Sequence, residues 1–355
     1  MKSPVTLVDV AEAAGVSKST AANVFNHPER VRAEVRARVE QAARELGFAG
    51  PDARGRLLSS GKANVIGIVS SGQGISWVFD NAYMRTFMSA VAGECEAHHA
   101  SLQIIDGYGD AGAETIRRTI VDGLILHTRD QLRAVDPGLR RKLRIVVMDR
   151  VPDSDVSTVA IDDRGGACAL TRHLLAQGHR RFLVAPLSRG AIAPVLHRPN
   201  GGPRQLVSSD AVDEERVAGV AEALAEAGLS IHDMPLVEAC GSQLERRSFG
   251  SGAALALDHL DGATAVIALS GEMALSLLAE ARDRGIDVPR ALSIVGFDDP
   301  PEAALAVPPL TTIAAPVAET GRLAARLLFD GGRPQHLELP VTLVVRASTA
   351  GPHRP

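Results

Sequence analysis

Between Val5 and Val31 the chain reads VTLVDVAEAAGVSKSTAANVFNHPERV, and no other stretch limits its fold as strongly. Apolar residues recur at helical spacing at Leu7, Val10, Ala11 and Ala14, and Thr6 stands where a helix N-cap stands. Gly15 ends the run, as a residue that must take positive φ would. Ser17 can cap a second helix over Lys18–Asn26, with Ala21 and Val24 facing inward. Two short helices joined at a Gly-containing turn make a helix-turn-helix. Ala11 has to be small because the second helix crosses it. The outward face of that helix carries Ser17, Lys18, Ser19, Ala22 and Asn23. These short or flexible groups can enter a major groove and reach base edges or phosphates. A third amphipathic pattern, RAEVRARVEQAARELGF, has Val35, Val39, Ala42, Ala43 and Leu46 as its apolar stripe and completes an all-α core. A plain helical bundle with a solvated face fits the same spacing.

Charge distribution points to the same end of the chain. Residues 1–62 hold ten Lys and Arg against seven Asp and Glu, a net +3, so the rest carries −7 of the total −4. A small basic head on an acidic body suits a polyanion partner for the head alone. At 355 residues the chain is long enough for two or three domains. Its three Cys, at 95, 168 and 240, are too scattered for a zinc site or a disulfide framework, which fits a reducing cytoplasm. No stretch reaches the length of a membrane span, and no secretory h-region is visible, so no membrane partner is expected.

From Ala63 onward, apolar runs alternate with helical patterns. NVIGIVSS, SLQIID, GLILHT, RIVVMD, RFLVAP, TAVIALS and LSIVGFD read as strands. Tyr83–His98, Gly165–Ala176, Glu215–Ala227 and Met273–Arg284 read as helices between them. Such alternation makes α/β layers with parallel sheets, whose ligands sit beyond the carboxyl ends of the strands. Trp77, Phe79 and Tyr83 cluster there, after the first strand, although only 3% of residues are aromatic. They suit stacking on a sugar face or another ring, and equally a plug of core between helix and sheet. The stretch SRGAIAPVLHRPNGGPRQLVSSDAVDE, from Ser188 to Glu214, is rich in Pro, Gly and Ser and reads as a mobile loop or a lid.

Enzyme readings find little support. Glu94, Cys95, His98 and His99 close an amphipathic helix without a second ligand cluster, which favours a solvated helix end over a metal site. The word SSGQGIS lacks GxGxxG spacing, no Walker or GxSxG word appears, no catalytic constellation is visible, and no cofactor is expected.

The words VTLVDVAEAAGVSKSTAANVFN, RVEQAARELGF and PDARGRLLSSGKANVIGIV resemble the N-terminus of the LacI (lac/galactose repressor) family of bacterial transcription regulators. AIDDRGGACALTRHLLAQGHRRFLV, ALSIVGFDDPPEAALAVPPLTTI and GRLAARLL resemble the same family's effector domain, of the periplasmic-binding-protein-like type I fold. The resemblance implies a helix-turn-helix headpiece over 1–50, a hinge helix over 51–62, and an effector-binding and dimerisation domain over 63–347, with 348–355 as a tail. It implies two α/β lobes, about 63–160 with 315–332 and about 161–312 with 336–347, linked by crossings near Ala160, Thr312 and Arg333.

Residue by residue, the resemblance makes Lys18, Ser19 and Asn23 base readers. It puts Thr6, Ser17, Thr20 and Asn26 at phosphate-contact or capping positions. Leu58 falls on the minor-groove wedge position. Gly55 stands where the family usually has Ala, which costs the hinge helix about 1 kcal/mol. In the effector cleft, Asp149, Arg216 and Asp298 match family positions. Ser270 stands where many members have Asn. The implied protein is a cytoplasmic homodimer, a repressor on a pseudo-palindromic double-stranded operator. A small molecule, a sugar or related metabolite, would control it. No long Leu-heptad tail follows Val345, which suits dimers rather than tetramers. Three alternatives stay open: a cytoplasmic small-molecule binder with a non-functional head, a purine-type regulator that needs a co-repressor, and a flavodoxin-like enzyme.

Overall fold

The computed structural model describes residues 5–26, 28–50, 61–70, 74–107, 109–151, 155–188, 193–199, 202, 206, 211–240 and 248–352. The chain divides into two compact units, Met1–Ala63 and Asn64–Pro355.

The described residues of the first unit form the α-helices α1 (Leu7–Ala13), α2 (Lys18–Asn26) and α3 (Ala33–Leu46). Thr6 and Asp9 form a capping box at the start of α1: the Asp9 N–H donates to Thr6 Oγ1 at 3.4 Å, and the Thr6 N–H donates to Asp9 Oδ2 at 2.7 Å. Gly15, at φ +63°, ends α1 as the left-handed residue of a Schellman turn. Its N–H donates to the Glu12 carbonyl and the Val16 N–H to the Ala11 carbonyl. Ser17 then caps α2, accepting from the Thr20 N–H at 3.1 Å. Val10, Ala11, Ala14, Ala21, Val24, Val39, Ala42 and Ala43 form the core. Leu46, expected in the α3 stripe, is 39% exposed. Past the left-handed Gly47, Phe48 turns back to meet Phe25 edge-on at 5.7 Å and closes that end of the core instead.

The second unit holds two sheets. In the first, β1 (Val65–Val69), β2 (Ser101–Ile105), β3 (Gly123–Leu126), β4 (Arg144–Val147), β5 (Ser157–Ile161) and β13 (His336–Leu339) lie in the order β13-β5-β4-β3-β1-β2, all parallel. In the second, β6 (Phe182–Ala185), β7 (Leu187–Ser188), β9 (Leu236–Cys240), β10 (Ala265–Ala268), β11 (Ser293–Gly296), β12 (Thr311–Ala314) and β14 (Thr342–Val344) run in the order β14-β12-β11-β10-β6-β9-β7. Along that order the pairing is parallel except at β14, which runs antiparallel to β12. Val, Ile and Leu fill the central strands because helices cover both faces.

Those helices are α4 (Gly74–Asp80), α5 (Ala82–Ala97), α6 (Gly109–Arg118), α7 (Arg129–Ala134) and α8 (Pro137–Arg140) among the strands of the first sheet. α9 (Asp163–Ala176), α10 (Ala211–Glu226), α11 (Ser248–Asp258), α12 (Gly271–Asp283) and α13 (Pro301–Leu305) alternate with strands of the second. After β12, α14 (Val317–Asp330) returns to pack beside α5 on the first sheet, joining Val317, Ala324, Ala325 and Leu328 to its core. β13 also pairs with the first sheet, so the last crossing lies between Leu339 and Thr342 rather than near Arg333. Residues 336–339, expected in the C-terminal lobe, therefore belong to the first. Their half-exposed alternation, HLEL, is an edge-strand pattern without an apolar run to betray it.

The stretch at 188–214 is not wholly a loop. β8 (Val195–His197) lies antiparallel on β9, with Val195 opposite Glu238 and His197 opposite Leu236. The His197 ring contacts the fully buried Glu238 carboxylate, which pins the strand. Residues 51–60, and Leu58 with them, lie outside the described residues. Among the described residues no helix is long and apolar enough to cross a membrane.

Candidate functional site

In α2 the buried and exposed residues separate cleanly. Ala21 and Val24 are buried, whereas Ser17, Lys18, Ser19, Asn23 and Asn26 are exposed, and Thr20 is half-buried. The Ser17 hydroxyl shares hydrogen bonds with those of Ser19, at 2.9 Å, and Thr20, at 2.8 Å. Three hydroxyls are thus gathered at one helix start, beside the Lys18 ammonium. Thr6 is exposed at the start of α1. Such a set can donate to phosphate oxygens while Lys18 and Asn23 reach farther.

In the second unit a cavity of about 130 Å³ opens between the two sheets. His127, Asp149, Asp163, Ser270 and Asp298 all line it. Each stands one or two residues past the carboxyl end of a strand: β3, β4, β5, β10 and β11 in turn. Parallel strands place ligand groups there, because the chain must leave the sheet before the next helix begins.

Arg216 is the centre of the site. It sits in α10, 6% exposed, where α10 lies so close to α9 that a Cβ on Gly219 would collide with the Arg164 carbonyl. That closeness carries the guanidinium to Asp163 at the start of α9. Nε donates to Asp163 Oδ1 at 2.7 Å, Nη2 to Asp298 Oδ1 at 2.9 Å, and Nη1 to the Leu269 carbonyl at 2.7 Å. Its Cζ lies 3.7 Å from the centre of the Phe297 ring. Burial opposes the charge on Arg216, but Asp298 and Asp163 outweigh it and raise its pKa above the usual value.

Asp298 and Asp299 both take left-handed φ, +74° and +44°. Two guanidiniums hold this turn, Arg216 on Asp298 and a bidentate Arg346 on Asp299 at 2.7 and 3.1 Å. Non-glycine residues in this region persist where their surroundings fix them, often at ligand sites.

Burial pushes the Asp163 carboxyl up from 3.8 to about 6; Arg216 pulls it down, and Asp298 and Asp149 push it further up. Burial raises the Glu272 carboxyl as well, aided by Asp298. The sign for Asp163 is opposite to that of an ordinary ion-paired carboxylate. Its folded-state pKa exceeds the unfolded one, so its contribution to stability falls as pH rises from 3.8 to about 6. We expect Asp163→Asn to flatten that part of the curve. Melting temperatures of the two proteins between pH 4 and pH 7 check it, and parallel curves would contradict the burial of a charge here.

Among the described residues, polar links join the two lobes. Asn81, the N-cap of α5, donates through Nδ2 to Glu272 Oε1 at 2.8 Å. Arg129 Nη2 donates to Glu214 Oε2 at 2.7 Å.

The sequence candidates divide. Tyr83, Asp149, Arg216, Ser270 and Asp298 line the cavity. Tyr83 packs edge-on to His127 at 5.8 Å. Asp149 accepts from the Arg129 N–H at 3.1 Å. Ser270 is the N-cap of α12, accepting from the Met273 N–H at 3.2 Å, so one lone pair of its hydroxyl serves the helix. Phe79 does not join the cavity. It is 62% exposed, because α4 turns Val78 inward instead. Trp77 falls within α4, and its side chain lies outside the described residues. Asn81, Asp163, Glu272 and Phe297 were not among the candidates. The doubled Asp of AIDDRGG at a helix start was the available signal for Asp163, and it reads equally as a cap.

The end of α5, expected to be a solvated helix end, packs in part against α14. His98 stacks on Phe329 at 4.1 Å and Glu94 pairs with Arg326 at 2.8 Å.

Comparison with known proteins matches a segment in each of the two units to a known domain. Residues 6–50 match the family described as bacterial regulatory proteins, lacI family, and residues 171–349 match a periplasmic binding protein-like domain. The chain is 32% identical to an HTH-type transcriptional regulator of Mycobacterium tuberculosis, over 98% of this chain and 97% of the other. It is 30% identical to the HTH-type transcriptional repressor CytR of Escherichia coli, over 97% and 96%. Among solved structures, the complex of the transcriptional regulator CelR with cellobiose is 27% identical, with a TM-score of 0.65 over 97% of this chain and 99% of that one. The lac repressor dimer bound to operator and the anti-inducer ONPF shares the fold, with a TM-score of 0.75 at 23% identity over 98% and 100%.

Proposed function

The chain belongs to the lacI family of bacterial regulatory proteins, which are DNA-binding transcription regulators, and from that premise we propose how its parts divide the work. Residues 1–50 bind the operator, 51–62 form the hinge, and 63–347 hold the effector and the dimer contact. Lys18, Ser19 and Asn23 meet base edges, while Thr6, Ser17, Thr20 and Asn26 meet phosphates. Leu58 from each subunit wedges the minor groove. Two headpieces of a cytoplasmic homodimer then occupy half-sites about 10 bp apart.

The observation that supports this most is the split face of α2. Small residues pack it inward, and hydroxyls, an ammonium and a carboxamide point out. A solvated helix would not need three hydroxyls bonded to one another at its start.

A carbohydrate or related metabolite enters the cleft among Tyr83, Asp149, Arg216 and Asp298. The cellobiose complex of a relative supports that class. Asn81–Glu272 and Arg129–Glu214 favour the closed arrangement of the lobes, and a ligand shifts operator affinity only through its different affinity for closed and open states.

The test is a gel-shift assay on the gene's own upstream DNA against scrambled sequence at moderate ionic strength. The full chain prefers the upstream DNA, and removing residues 1–62 abolishes the preference. Equal retention of both DNAs, with every metabolite tried, would sink the reading.

A further inference from the structure

Asn64 is the first residue of the second unit, two positions past the proposed hinge, and its backbone is left-handed at φ +58°. Its N–H donates to Asp122 Oδ2 at 2.6 Å, and its carboxamide Nδ2 donates to the His99 carbonyl at 3.0 Å. Its own carbonyl accepts from the Ser101 N–H at 2.8 Å. Glycine would take that φ with less strain, and aspartate would tolerate it as well. Of these bonds, the one to His99 is the one that needs a side-chain donor, so the residue type points to that bond.

Both Asp122 and His99 stand on elements that reach the cleft. His99 is itself left-handed, at φ +53°, and is bonded back onto the end of α5. Its N–H donates to the Glu96 carbonyl at 3.1 Å, and the Ala100 N–H to the Cys95 carbonyl at 2.8 Å. α5 has 16 residues and is therefore about 24 Å long. It buries Met84, Phe87, Val91 and Cys95 along its length, so it moves as a rod with its sheet. Its other end carries Tyr83, in the cavity wall, and follows Asn81, which bonds Glu272 of the opposite lobe. Asp122 immediately precedes β3, and its N–H donates to the Val65 carbonyl at 2.8 Å. The far end of β3 leads to His127, in the cavity wall, and to Arg129, which reaches Glu214 of the opposite lobe. The links Asn81–Glu272 and Arg129–Glu214 thus stand at one end of two packed elements whose other ends hold Asn64.

Resting on the regulator reading above, we infer that Asn64 is a positioning residue for operator binding, whose carboxamide ties the start of the hinge to the state of the cleft through α5 and β3. Asn64 does not line the cavity itself. A lobe movement that shifts Asn81 or Arg129 shifts the first fixed point after the hinge with it. With the carboxamide removed, the chain before Val65 has to be ordered at the moment of DNA binding, and the cleft loses its hold on it.

The experiment uses the full chain without any metabolite, in gel shifts on the gene's own upstream DNA, well below the melting temperature. Asn64→Gly keeps the left-handed backbone and the Asp122 bond and removes the carboxamide. It should weaken operator binding about tenfold. Its melting temperature should stay at the parent's, because relief of the left-handed backbone offsets the lost bond. Asn64→Asp sets an acceptor against the His99 carbonyl and should weaken binding as much. Glu272→Ala cuts the link to Asn81. It should change operator affinity about fivefold in the parent and hardly at all in the Asn64→Gly background, as residues acting through one path do. Parental affinity in Asn64→Gly overturns the inference, and a lowered melting temperature beside it leaves Asn64 a structural role alone. Full affinity in Asn64→Asp means that the backbone conformation suffices, and overturns it too. So does a Glu272→Ala effect that is absent from the parent or equal in both backgrounds. In each of these cases the regulator reading stands. A parent that does not prefer its upstream DNA to scrambled DNA sinks that reading, and this inference with it.

Discussion

Replacing Arg216 by Met should destabilise the effector unit by about 3–5 kcal/mol, the cost of removing one partner from a buried ionic cluster. Asp163 and Asp298 would face each other without the guanidinium that joins them, and the Leu269 carbonyl would lose its donor. Met fills similar volume against Phe297, so the effect reports charge more than packing. The triple variant Arg216→Met, Asp163→Asn, Asp298→Asn removes all three charges and should recover most of the loss without recovering ligand binding. Urea unfolding of the three proteins tests this. A single variant as stable as the parent would mean that the cluster does not hold the cleft together.

Asn23→Ala should cost the headpiece about 1–3 kcal/mol of operator discrimination, the worth of one good side-chain contact to a base. Binding to scrambled DNA should change little, because the hydroxyls near the start of α2 and the phosphate contacts proposed for them remain. Asn23 is exposed and the core lies on the opposite side, so headpiece stability should hold. Competition gel shifts with operator and scrambled DNA separate the two effects. If discrimination survives unchanged, the groove-facing side of α2 has been misassigned.

Most strands that could be read from sequence were buried on both faces, SLQIID at the sheet edge being the exception. VIGIV, GLIL, RIVV, FLVA, AVIA and SIVG all stand out as apolar runs, and all became β-strands. β9 hid because LVEAC carries a Glu at its centre, and only the structure supplies His197 from the neighbouring stretch as that acid's partner. β13 hid because an edge strand alternates and carries polar residues. For the cavity, the family resemblance pointed to Arg216 and Asp298, and the structure brings them into contact. Their roles toward a ligand rest on the proposal. Asp163 and Glu272 were not legible, because a carboxylate at a helix start looks like a cap until its burial is known. Ser270 shows how a family position can carry a second duty: it lines the cavity and also caps its own helix.

The headpiece core contains five Ala among its eight buried apolar residues. Small side chains let the helices approach closely but withdraw little apolar surface from water. The effector unit, by contrast, buries Phe, Ile and Leu in four clusters. The two parts should therefore melt apart, the headpiece first, giving two transitions in calorimetry. Warming would then free the promoter while the sensor is still folded and still able to hold its metabolite, so that temperature acts on this regulator as a second signal, independent of the cleft.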